Sequence, residues 1–96
     1  MAAYCLFDLR RVKNAVQMEM YRESVLETVD LYGGRFLVVG GVCDVREGDA
    51  QPVYPVMIEF PSLEQARSWY DSEEYRNLKA LLRAAVDVHA FIMQGL

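Results

Sequence analysis

Twice along these 96 residues a strand-like run leads into a capped helical stretch and out into another strand-like run, and that order restricts the fold more than any single motif. Ala3 to Leu9 reads as the first strand. Asn14 then caps a helix with Gln17 in the capping-box position, and Met18, Tyr21, Val25, Val29 and Tyr32 recur along one helical face. Gly33 ends the helix, Arg35 to Val42 is the second strand, and residues 43–52 form a polar connection turning at Glu47, Gly48 and Asp49. Val53 to Phe60 is the third strand, with Pro55 near its start, where a missing N–H donor is tolerated. Ser62 and Gln65 form a second capping box. Asp71 and Ser72 interrupt that helix, a further piece begins at Glu73 with Tyr75, Leu78, Leu81, Leu82 and Ala85 on its apolar face, and Val86 to Met93 is the fourth strand.

Strand, helix, strand, strand, helix, strand is the βαββαβ order of a ferredoxin-like α+β fold, here one domain over residues 1–96 with a four-stranded antiparallel sheet and its helices on one face. The strands are apolar at both parities: Leu37 and Val39 alternate with Phe36 and Val38, and Val56 and Ile58 with Val53 and Met57. Both sheet faces therefore require cover, and sheet-on-sheet packing in a homodimer is the simplest source of it. A hydrophobic share of 53% in so short a chain points the same way.

The formal charge of −4, with scattered basic residues, disfavours nucleic acid as a partner, because such binding needs a concentrated positive surface. No apolar run approaches the roughly 20 residues of a membrane helix, so a cytoplasmic protein with no membrane partner is expected. Cys5 and Cys43 have no CxxC spacing, and with His89 as the lone histidine they do not make a zinc shell; neither metal nor cofactor is expected.

The stretch LYGGRFLVVGG (31–41) has the glycines of a phosphate loop in the wrong context. A helix runs through glycines into a strand, the reverse of the nucleotide fingerprints, and no GK[ST] follows. Gly33 and Gly34 stop the helix, and Gly40 and Gly41 mark a bulge or a close backbone approach.

The runs YGGRFLVVGG (32–41), EG (47–48) and VMIEFPSLEQARSWYDSEEY (56–75), with LR at 82–83, resemble the domain of unknown function 1330 family, within the dimeric α+β-barrel superfamily of ferredoxin-like chains. The resemblance spans almost the whole chain and implies a homodimer with packed sheets and no established common activity. Cofactor-free oxygenases, isomerases and cyclases in the wider superfamily make no choice of chemistry for this chain. Val39 and Ala50 stand where relatives often carry a basic and an aromatic residue, which weakens any anion site built on an arginine pair.

With the first and third strands taken as central and parallel, Asp8, Arg35, Glu59, Asp87 and His89 would converge at one sheet end, beside helix N-termini. Two arrangements fit this pattern. In one, a pocket between sheet and helices holds a small organic ligand, with Asp8, Glu59 and His89 as catalytic proton-transfer groups and Arg35, Tyr21 and Trp69 binding substrate. In the other, Arg35 and Glu59 form a cross-strand ion pair, the remaining acids are solvated, and the aromatic residues are ordinary core. The first describes a cofactor-independent isomerase or cyclase, the second a non-catalytic binding or dimerisation module.

Overall fold

The computed structural model describes all of residues 1–96. Its elements are β1 (Ala3–Val12), α1 (Ala15–Leu31), β2 (Arg35–Val39), β3 (Pro55–Phe60), α2 (Leu63–Tyr70), α3 (Glu73–Ala85) and β4 (Val86–Gln94). The expected order is present. The second strand stops at Val39, three residues early, because Gly40 turns the chain with φ +68°, and the third begins at Pro55.

Local chemistry sets the helix ends. The Asn14 side chain accepts from the Gln17 N–H at 2.9 Å, the Ser62 hydroxyl from the Gln65 N–H at 3.1 Å, and the Ser72 hydroxyl from the Tyr75 N–H at 3.1 Å. Ser72 also donates to the Trp69 carbonyl at 2.7 Å, which joins the end of α2 to the start of α3. After α1, Gly33 takes φ +77°, the left-handed conformation that lets a helix close its last carbonyls.

The sheet order is β2-β3-β1-β4, and every neighbouring pair is antiparallel. This corrects the parallel alignment expected for the two central strands. A hairpin reverses β3 relative to β2, so β3 also runs against β1. A bulge lies between Phe36 and Val38, earlier than the glycine pair, and Gly40 provides the close approach instead: a Cβ there would stand 2.3 Å from the Tyr54 ring.

Alternation along β1 separates the two faces. Ala3, Cys5, Phe7 and Leu9 are buried beneath the helices with Ile58, Phe60, Val86, Trp69 and Tyr75. The opposite face carries Tyr4, Leu6 and Asp8, with cross-strand partners Glu59, Met57 and Pro55 on one side and Met93, Phe91 and His89 on the other. Phe91 is 57% exposed and Met93 45%. The apolar middle of this outer face thus has no cover within the chain.

Candidate functional site

An apolar cleft of about 200 Å³ opens on the helical side of the sheet. Helix α1 leans on α3 rather than on β2 and β3, which leaves a gap between its inner stripe and that half of the sheet. Met18, Tyr21 and Val25 form one wall and Phe36, Val56 and Tyr54 the other, with Phe7 and Ile58 among the residues beneath. Of 13 lining residues 12 are hydrophobic, and the exception is Arg22. The volume lies below the roughly 300–1,000 Å³ of drug-sized ligand sites, so a body such as one ring with a short chain matches it better.

The tyrosine wall is tied to the core. Tyr21 and Tyr75 share a hydrogen bond between hydroxyls, at 2.8 Å, with their rings edge to face. Burial pushes both phenols above their ordinary range, so each is a neutral donor or acceptor at physiological pH. Tyr75 stacks on Trp69 at 4.1 Å between centroids, and the indole N–H donates to the Thr28 hydroxyl at 3.0 Å. Trp69 is fully buried, with Phe60 on its other flank, and does not line the cleft. Of the three side chains expected to bind substrate, only Tyr21 borders the cleft.

The five ionisable groups expected at one sheet end are split between two ends. Because β1 and β3 are antiparallel, Glu59 lies opposite Tyr4 whereas Asp8 lies opposite Pro55. Glu59 pairs with Arg35 in register, and the Arg35 Nε donates to Glu59 Oε1 at 2.7 Å, which is the cross-strand ion pair of the second arrangement. Asp87 takes Arg11 at 3.2 Å and Lys13 at 3.5 Å near the other end. All these contacts lie away from the cleft.

Asp8 has a different occupation. Its Oδ1 accepts the Val53 and Tyr54 N–H groups, each at 2.9 Å, and its Oδ2 is paired with Arg10. Partial desolvation would raise its pKa, but those two backbone donors and Arg10 outweigh it and hold the carboxyl below the usual carboxylate range. A carboxylate stabilised in this way is a weak base. It anchors the end of the long β2–β3 connection and sets the backbone of Tyr54, a wall of the cleft. On the outer face Asp8, Arg10 and His89 border a second recess of about 450 Å³ with Gln51, Pro52 and Phe91.

Arg22 was not among the residues expected at a site, as a charged side chain outside the apolar set Met18, Tyr21, Val25 and Val29. The available signal was its spacing: four residues after Met18 and three before Val25, it flanks the apolar stripe.

A four-stranded antiparallel sheet in this order, with its helices on one face, defines a ferredoxin-like α+β protein. The chain belongs to the family described as Domain of unknown function (DUF1330), whose model it matches over residues 2–96. No curated protein matches it. Among solved structures it is similar to a protein of unknown function from Rhodopseudomonas palustris, with a TM-score of 0.73 at 18% identity over 99% of this chain and 82% of that one. A dimeric ferredoxin-like protein of unknown function from Jannaschia sp. CCS1 gives 0.70 at 12% identity, covering 99% and 100% of the two chains. A cofactor-independent oxygenase from Streptomyces nogalater gives 0.58 at 15% identity, covering 99% and 91%. At these identities the likeness extends to the fold.

Proposed function

We propose that this protein is a homodimer that binds a small organic molecule in the cleft between α1 and the inner face of the sheet, without cofactor. The observation that carries the ligand reading is the cleft itself, a concave, almost wholly apolar site held open beside a well-packed core. The uncovered outer face supports the dimer: Leu6, Met57, Phe91 and Met93 form an apolar centre, with Arg35–Glu59 at one end and Asp8, Arg10 and His89 at the other, the core-and-rim pattern of an interface. Sheet-on-sheet pairing would leave the cleft open, since it lies on the opposite side. The cytoplasm suits Cys5 and Cys43, both unpaired thiols.

Light scattering tests the assembly. Wild-type protein should give twice the 11.0 kDa protomer mass, and Leu6→Glu should shift it toward the protomer. A wild-type protomer mass at micromolar concentration sinks the dimer. For the ligand, fragment screening by NMR should perturb Phe36, Tyr54 and Val25; perturbations confined to other surfaces would reject the cleft.

A second reading, proton-transfer catalysis of isomerase or cyclase type, draws on the outer recess, where Asp8 and His89 are cross-strand neighbours. There His89 would carry the proton and Asp8 would orient it, with Glu59 and Arg35 at the far end of the sheet outside the site. His89→Ala abolishing a turnover that Glu59→Gln leaves intact would favour this reading, and unchanged turnover in His89→Ala would reject it.

A further inference from the structure

We infer that the cleft selects an apolar molecule carrying a carboxylate, which Arg22 grips at the rim; this rests on the reading of the cleft as a ligand site. Apart from the Tyr21 and Tyr54 hydroxyls the lining is apolar and uncharged, so a charged group on a buried ligand is best kept at the rim. Arg22 is the single charged residue lining the cleft, and it follows Tyr21, whose ring forms the wall. Its aliphatic stem can lie along apolar surface while the guanidinium reaches water. A guanidinium presents a planar fork of donors that matches a carboxylate in two parallel hydrogen bonds.

Arg22 is also lightly committed. Its Nη1 lies 3.6 Å from Glu19 Oε2, one turn earlier, and both side chains are more than half exposed, so this pair contributes little and an incoming carboxylate can displace or share it. The sheet arginines are held more closely: Arg10 by Asp8 and Arg35 by Glu59 at 2.7 Å. The substrate-binding role expected of Arg35 therefore moves to Arg22. A cationic ligand would meet the guanidinium at the only rim position offering charge, which sets the sign of the preference.

The test uses 4-phenylbutyrate and its neutral counterpart 4-phenylbutanamide, titrated into wild-type protein and Arg22→Gln while amide chemical shifts of α1 and β2 are followed. Gln preserves helix propensity at an exposed position, so the variant should fold as wild type, which its spectrum checks directly. Wild type should bind the carboxylate about tenfold more tightly than the amide, as one charge-assisted contact implies. Arg22→Gln should erase that difference, weakening carboxylate binding far more than amide binding. Equal wild-type affinities for the two probes would overturn the carboxylate preference and leave the cleft reading standing. Binding of neither probe up to its solubility limit, or shifts confined to the outer sheet face, would overturn both.

Discussion

Replacing Asp8 separates its anchoring role from a catalytic one. Its carboxylate accepts two backbone N–H groups at 2.9 Å and pairs with Arg10, and the side chain is 19% exposed. Hydrogen bonds to charged groups are worth about 1.5–3 kcal/mol each, a range that partial exposure reduces because water can replace the lost acceptor. Asp8→Ala, which strands both N–H groups, should therefore cost about 2 kcal/mol, and Asp8→Asn, which keeps an acceptor oxygen and loses the charge, about 1 kcal/mol. For a domain of this size 1 kcal/mol moves Tm by roughly 4–8 °C. The folded carboxyl lies below its ordinary pKa of 3.8, so its contribution is complete above that value and disappears as pH falls through the folded value. The stability gap between wild type and Asp8→Asn should accordingly be full at pH 7 and narrow below about pH 4. Urea unfolding at matched protomer concentration, at pH 7, 5 and 3, measures the gap, and hydrogen exchange at Val53 and Tyr54 gives a local readout that should speed up in Asp8→Ala. Unchanged stability and unchanged exchange in Asp8→Ala would refute the anchor, and a gap equally wide at pH 7 and pH 3 would refute its electrostatic origin.

Further substitutions probe the packing around the cleft. Gly40→Ala should cost about 1–2 kcal/mol in left-handed strain alone, and because the added Cβ would meet the Tyr54 ring at 2.3 Å, it should also alter small-molecule binding in the same titrations. Thr28→Val should lower stability by about 1–3 kcal/mol by removing the buried acceptor of the Trp69 N–H, while Thr28→Ser should retain most of it, as thermal unfolding would show. Burial pushes the Cys5 thiol up to about 12, so iodoacetamide at pH 8 should modify Cys43 and spare Cys5; equal labelling in the native state would contradict the packing.

The proposed dimer would cover outward apolar residues that the monomer leaves exposed. Tyr4, Leu6 and Met57 alternate with the buried set on β1 and β3, so neither strand has the polar outer side expected of a solvated antiparallel sheet. In the proposed assembly the same alternation would keep ligand and partner apart, since the cleft opens on the helical side and the uncovered sheet face lies on the other.

The element order and the helix ends were legible in the residues because they depend on neighbours a few positions away. Asn14, Ser62 and Ser72 cap helices within three residues, Gly33 supplies the left-handed exit, and the apolar stripe of α1 follows the helical period. The pairing of Arg35 with Glu59 could be anticipated too, since the hairpin joining β2 and β3 reverses the chain and sets them antiparallel. Strand direction at the sheet centre was not local: β1 and β3 meet across more than forty residues, and a reversal there moves Glu59 from the Asp8 end to the opposite one. Nor did residue types reveal that Asp8 would hold the Tyr54 backbone, that Trp69 would sit wholly in the core, or that α1 would lean toward α3 and open a cleft with Arg22 at its rim. Those outcomes depend on which surfaces pack together, and packing is decided by contacts between segments far apart in the chain.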